Sequence, residues 1–403
     1  MERKEERGSF LFVIFWWLVQ HIHIQWARSL LYWGLRDGAF PKAPEPDASL
    51  SSEMWGFRFK SPLALSDGID KKGNVLDALL HMGFSFGAFG PYTLEKELPP
   101  QEKYFLKPDK AVIVQCLSYR NPGLLKMLPW LIKRRFLPYF MGVDVAIPAE
   151  SEESNIKQER HFTYEEEFVL MAQRAAPYCD FMTLDFSHPN SELYTLVVNE
   201  ATILPIIQAV KEAAKQAAPI KPPKLFIKIP LDLTNQDVPL IAKILLDGQV
   251  DGVMIAGPMS LAKNSHIKLK GVKEHQLSGM LSGQPTHTYL VELIRRFYSI
   301  LKGRVPIIAS GFIADANQAF ELIAAGANYI AVTDDCLTYE GPGILQRVNT
   351  GLTHLLKQKN FNSITDAIGS DFENLTEEEE KNLPPKMQVQ NASPEIAKSN
   401  EPS

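Results

Sequence analysis

The 403-residue sequence predicts an α/β fold: a (β/α)8, or TIM, barrel with an apolar helical extension before it and an acidic tail after it. Eight short apolar runs rich in β-formers carry the barrel, at 61–67, 85–90, 138–146, 181–187, 224–230, 252–258, 305–310 and 329–334. Each is nearly continuous, as strands are when a parallel sheet is buried on both faces. Most are followed by apolar residues three and four apart, such as Val75-Leu76-Ala78-Leu79-Leu80, Ile203-Ile206-Ile207-Val210, Ile241-Ile244-Leu245 and Phe320-Ile323. Eight such strand–helix units suit a closed barrel. A doubly wound open sheet rarely uses eight consecutive parallel strands.

The extension, residues 1–45, begins with mixed charges and then runs through ten apolar residues, Phe10 to Val19. Gln20, His21, His23 and Gln25 interrupt the pattern before Trp26, Leu30, Leu31, Tyr32, Trp33 and Leu35. A membrane span needs about 20 apolar residues, so this run is short for one. Four of the six tryptophans fall between Trp16 and Trp33, and tryptophan favours the membrane–water interface. No small-residue cleavage site follows, so the segment is not read as a removable signal peptide. A helical hairpin or bent helix over 9–36 lying in the bilayer surface is the expectation. A single span, or a helix packed on the protein's own core, are the alternatives.

The barrel is assigned to 46–371. Insertions at 92–137 and 259–286 follow the second and sixth strands, on the face where such barrels build their sites. Residues 149–160, with Glu150, Glu152, Glu153 and Lys157, read as a solvated loop. The tail, 372–403, collapses into Glu377–Glu380, prolines and polar residues and is expected to be disordered. The 45% hydrophobic and 22% charged fractions can build a sizeable core. A net charge of -5 leaves no basic excess for nucleic acid. Cys116, Cys179 and Cys336 have no metal-like spacing and fit a reducing compartment; no metal site is expected.

Residues able to do chemistry collect at predicted strand ends. Ser66-Asp67-Gly68-Ile69-Asp70-Lys71 leaves the first strand; its glycine permits close backbone approach and Lys71 can donate to an anion or carbonyl. The fourth strand exits through Asp185-Phe-Ser-His188-Pro-Asn190-Ser191. An imidazole there is a competent base near neutral pH. Lys228 interrupts the apolar fifth strand, and a buried ammonium requires something anionic or strongly accepting beside it. Ser282, Gly283 and Gly311 suit a phosphate seat. Asp334 and Asp335 do not, since a carboxylate repels a phosphate dianion.

Together these stretches resemble the dihydroorotate dehydrogenases, specifically the membrane-associated, quinone-reducing class. The carrying segments are Ser61–Lys71, Met82-Gly-Phe84, Asp185–Asn190, Phe226–Ile229, Leu281–Gly283, Gly303–Ile308, Ala324–Ala327 and Ile364–Gly369, and the likeness covers about 25–371. It implies FMN at the barrel mouth, oxidation of dihydroorotate to orotate in pyrimidine biosynthesis, and reoxidation of the flavin by quinone reached through the N-terminal helices. By position, Gly68, Lys71, Gly90, Lys228, Ser282, Gly283 and Gly311 match flavin-contacting sites. Lys71, Asn190 and Ser191 match substrate-contacting ones. His188 takes the place of the class's serine base. The implied location is peripheral, at the inner or cytoplasmic membrane face, with lipid, quinone and a small-molecule substrate as partners.

The departures bear on activity. The family's asparagines fall on Val114, Asp144, Asp185 and Gly257. The Asn-rich loop after the second strand becomes Val114-Gln-Cys-Leu-Ser-Tyr-Arg-Asn121. Pro91, Ala256 and Phe312 replace a serine, a hydroxyl and a glycine, and Asp67 adds a carboxylate near the flavin edge. An amide donates and accepts, whereas an ionised carboxylate only accepts, so Asp185 would repel orotate's carboxylate. Phe312, Asp334 and Asp335 stand against FMN. Two functional readings follow: a flavin oxidoreductase on dihydroorotate or an altered substrate, or a non-catalytic barrel without FMN that binds or scaffolds at the membrane surface.

Overall fold

The computed structural model describes residues 24–36, 43–73, 75–97, 104–107, 112–115, 119, 121–135, 139–148, 162–189, 191–256, 258–260, 280–341 and 343–373. Eight parallel strands close into a barrel in chain order. They are β1 (Leu63–Leu65), β2 (Phe86–Tyr92), β3 (Phe140–Ala146), β4 (Phe181–Asp185), β5 (Lys224–Pro230), β6 (Gly252–Ala256), β7 (Ile307–Gly311) and β8 (Tyr329–Val332). Every apolar run expected to be a strand contains one, with bounds that agree to within two residues at either end. The main helices between and after them are Leu76–His81, Leu124–Arg134, Tyr164–Ala175, Glu200–Ala217, Asp237–Asp247, His287–Leu301, Ala316–Ala324 and Ile344–Gln358. Local chemistry sets several starts. Thr163 and Glu166 form a reciprocal capping box before Tyr164–Ala175, satisfying two otherwise orphaned amides. The Asp315 carboxylate accepts from the Asn317 and Gln318 amides at the head of Ala316–Ala324.

Side chains on a strand alternate between faces, and the inner face of this barrel changes character along its axis. Its lower layer is aromatic: Phe86, Phe140, Phe181, Phe226 and Tyr329 cluster with Met254 and Ile308. A hairpin, Ser52–Met54 with Phe57–Phe59, closes this end from below. Trp55 and Gly56 form its two-residue turn with φ of 52° and 81°, the positive values such a turn demands. The Trp55 indole stacks on Phe140 at 5.5 Å and donates to the Asp251 carbonyl at 2.9 Å.

At the opposite end the two insertions meet. Tyr104–Lys107 and Val112–Gln115 from the first pair antiparallel with Met280–Gly283 and Met259–Ser260 from the second. Ser282 and Gly283 therefore stand on this added sheet, not on a barrel strand.

The amphipathic helix Ile24–Arg36 packs on the same end, with Leu31 and Leu35 buried and Trp26 and Trp33 exposed. Among the described residues no helix is long and apolar enough to cross a membrane. The run 10–19, the loop 149–160 and the tail beyond 373 lie outside the described residues.

Packing is tight where the aromatic layer meets the polar one. A Cβ on Gly142 would lie 2.1 Å from the Phe181 ring, and that ring is wedged between Phe140 and Phe226. Gly142→Ala should lower stability by about 1–3 kcal/mol, the usual cost of overpacking, read as a lower urea midpoint. An unchanged midpoint would show that the aromatic layer yields.

Candidate active site at the barrel mouth

Counting in twos from the aromatic layer places the polar groups. Lys228 is two residues beyond Phe226 on β5, Asp185 four beyond Phe181 on β4, and Asp144 four beyond Phe140 on β3. All three side chains thus enter the barrel above the rings. Asp67 arrives from the loop after β1. Asp185 and Lys228 are also register partners across β4 and β5.

The result is an ammonium held by three carboxylates. Lys228 Nζ donates to Asp67 Oδ2 at 2.6 Å, Asp185 Oδ2 at 3.0 Å and Asp144 Oδ2 at 3.1 Å. All four groups are buried, Asp144 completely. Burial opposes the charge on Lys228, but Asp144, Asp185 and Asp67 outweigh it and hold its pKa well above the ordinary lysine value. Asp144 goes the other way. Burial, with Asp67 and Asp185 nearby, raises it well above the carboxylate range despite Lys228. Burial also works against ionised Asp67, yet the charge and hydrogen bond of Lys228 prevail and lower it. One cation among three acids is reconciled by leaving Asp144 protonated. The second oxygen of Asp185 accepts from the Ser187 amide at 2.8 Å and hydroxyl at 2.6 Å. Ligand atoms of the three acids lie within 4.8 Å of one another, a spacing a divalent cation could use, but the Lys228 ammonium is bonded to all three.

The remaining expected residues surround this cluster. Gly68, with φ of +88°, donates its amide to the Gly90 carbonyl at 2.7 Å. Gly90 precedes a cis bond to Pro91, and a Cβ there would meet the Asp144 carbonyl at 2.4 Å. Lys71 Nζ donates to the Tyr119 carbonyl at 2.5 Å. His188 is buried at the exit of β4, its ring 4.5 Å from that of Tyr119. Burial pushes its pKa down to about 4, with Asp185 pulling upward and Lys71 and Lys228 downward. The imidazole is therefore neutral at neutral pH and a weaker base than an ordinary histidine. Ser191 caps the short helix Glu192–Leu196 through the Leu193 amide. Asn190 and Gly257 lie outside the described residues.

The seat expected for a phosphate is built differently from a simple anion cradle. Asp335, in the first turn of Asp334–Glu340, accepts from the Thr333 hydroxyl and from the Cys336 amide at 3.0 Å. Its carboxylate thus takes donors an anion would use. Burial raises its pKa, with Asp334 adding to the effect, while the hydrogen bonds hold it down. Phe312 is buried against Tyr339. Leu290 occupies the space beside Gly311, 2.8 Å from where a Cβ would lie. A cavity of about 790 Å³ opens beside the mouth, lined by Tyr194, Asp232, Met259, Tyr289 and Arg296 among others, and the Lys228 cluster does not line it.

Comparison with known proteins defines the family. The sequence profile described as Dihydroorotate dehydrogenase matches residues 49–356. A quinone-dependent dihydroorotate dehydrogenase from Rhodospirillum rubrum is 30% identical over 333 residues, covering 81% of this chain and 84% of that protein. One from Parvibaculum lavamentivorans is 28% identical over 348 residues, covering 86% and 94%. The crystal structure of the Eimeria tenella enzyme in complex with ferulenol superposes with a TM-score of 0.74 at 25% identity, covering 86% of this chain and 95% of that one. The chain belongs to the dihydroorotate dehydrogenase family, in its quinone-dependent class.

Sequence reasoning singled out Asp67, Asp144, Asp185 and Lys228 separately; the barrel brings them together. It missed Tyr119, which lies in the replaced loop and meets both Lys71 and His188. Its aromatic type within a polar loop was the available signal.

His188 gives a pH test. Its folded pKa of about 4 lies below the ordinary 6.5, so the unfolded chain takes up the proton first. This group therefore costs stability as pH falls from about 6.5 to about 4, up to about 3 kcal/mol, with no further change outside that window. His188→Gln should lose that part of the pH dependence in urea unfolding followed across the same range. An unaltered slope would mean that the imidazole accepts its proton without penalty in the folded protein.

Proposed function

We propose that this chain is a dihydroorotate-dehydrogenase-family barrel that no longer performs flavin chemistry and acts as a binding protein at a membrane surface. The observation that carries this reading is the Lys228 ammonium bonded to Asp67, Asp144 and Asp185. The family resemblance gives this lysine the task of stabilising negative charge at the flavin's pyrimidine edge. Here its charge is already spent on buried acids, and a second anion would face those carboxylates. Asp335 supports the same reading at the other end. It accepts from Thr333 and Cys336, and a phosphate dianion at that seat would meet a buried carboxylate instead of free donors. Phe312 adds an aromatic ring where close backbone approach is needed. The residues present do not fit FMN.

The membrane part of the reading is supported by Ile24–Arg36, whose buried Leu31 and Leu35 fix it to the barrel and leave Trp26 and Trp33 exposed. The competing reading, an oxidoreductase with an altered substrate, draws on the His188 and Tyr119 rings standing 4.5 Å apart at the mouth. A pKa pushed down to about 4 makes that imidazole a poor proton acceptor at neutral pH, which favours the non-catalytic reading.

The full chain purified without added cofactor should be colourless and release no flavin on heat denaturation. It should leave the fluorescence of added FMN unquenched and fail to reduce a quinone with dihydroorotate. Stoichiometric flavin, or turnover of dihydroorotate, would contradict the proposal.

A further inference from the structure

Helix Leu124–Arg134 presents an apolar stripe that the barrel does not cover. Leu124, Met127 and Leu131 face the core, whereas Leu125 and Ile132 are 46% and 41% exposed, with exposed Pro129 between them. Positions 125, 129 and 132 share one helical face. Exposed Lys126 and Lys133 border one side of it and exposed Arg135 the other, and Arg134 stacks over the Trp130 ring at 5.5 Å. Residues 124–135 contain four basic side chains and no acid, in a chain whose net charge is -5.

The helix is also placed beside the tryptophan-bearing one. Trp130 Nε1 donates to the Gly73 carbonyl at 2.9 Å, and the Tyr32 hydroxyl of Ile24–Arg36 donates to the Ile69 carbonyl. Both helices are thus pinned to the same loop after β1. Ile24–Arg36 likewise contains no acidic residue.

We propose that Leu124–Arg134 is a second membrane-contact element. It seats Leu125, Pro129 and Ile132 among the headgroups of an anionic phospholipid bilayer, with Lys126 and Lys133 meeting lipid phosphates. Apolar side chains ringed by cations are the pattern of interfacial helices, and the local positive charge is complementary to anionic lipid. This inference rests on the membrane-surface part of the reading above, and not on loss of flavin. With both helices engaged, the barrel lies with the β1–β2 side of its mouth against the bilayer.

The test is co-sedimentation of the full chain with phosphatidylcholine vesicles, with and without phosphatidylglycerol. The unaltered protein should pellet, more strongly with phosphatidylglycerol. Leu125→Asp/Ile132→Asp should weaken binding roughly tenfold or more. Lys126→Gln/Lys133→Gln, which leaves the packing untouched, should remove roughly tenfold of the preference for phosphatidylglycerol and carries the test if the aspartate variant fails to fold. Binding unchanged in folded variants would overturn the inference while leaving Trp26 and Trp33 as contacts. No pelleting of the unaltered chain with either vesicle would overturn the membrane reading itself. If the apolar variant changes the oligomeric state on sizing and not vesicle affinity, the stripe joins copies of the chain and the proposal falls.

Discussion

Lys228 carries its ammonium to the level where the barrel interior turns from aromatic to polar, and three acids meet it there. Neither partner is tolerable alone. An unpaired ammonium, or any of the three carboxylates, would cost several kcal/mol at that depth. At an effective dielectric near 20, an ammonium and an ionised carboxylate about 3 Å apart attract by on the order of 5 kcal/mol before desolvation. One cation cannot support three full negative charges, so Asp144, completely buried, keeps its proton. The mouth is arranged around this solution. Ser187 satisfies the far side of Asp185, and the Asp144 carbonyl lies against Gly90, where a Cβ would not fit.

On the function proposed above, this scaffold keeps the family's barrel without its flavin chemistry. The eight-stranded barrel is present, with its aromatic layer resting on Trp55. Two groups that match cofactor contacts are engaged within the protein: Lys228 with three aspartates and Lys71 with the Tyr119 carbonyl. Asp67, Asp144 and Asp185 each accept from Lys228, and Asp335 accepts from Thr333 and Cys336. Such replacements are self-consistent as structure, and each makes an anionic ligand less welcome. Exposed Trp26, Trp33, Leu125 and Ile132, with Lys126 and Lys133, are the groups that the membrane-surface proposal turns toward a bilayer.

The strands were legible in the sequence because they are buried on both faces, which leaves short unbroken apolar runs. The hairpin at 52–59 was not, since its strands are three residues each and alternate in burial; the Trp55-Gly56 turn was its only local mark. The added sheet was hidden for another reason: it pairs Val112–Gln115 with Met280–Gly283 across more than half the barrel. Asp144, Asp185 and Lys228 were each visible as polar interruptions. Their meeting required knowing that Phe140, Phe181 and Phe226 form one layer, from which steps of two place the charged groups together. Tyr119 sits in a loop whose course no periodicity encodes, and the bonds of Asp335 to Thr333 and Cys336 are local to a helix start that the apolar pattern does not mark.

The state of the Lys228 side chain tests this account most directly. Nitrogen-15 NMR of the Nζ group, assigned by comparison with Lys228→Met, should show an ammonium that stays protonated and exchanges slowly above the ordinary lysine pKa of 10.5. Its resonance should not move when FMN or orotate is added. A signal that titrates at or below the ordinary value, or that shifts on adding flavin, would contradict the claim that the aspartates hold this lysine.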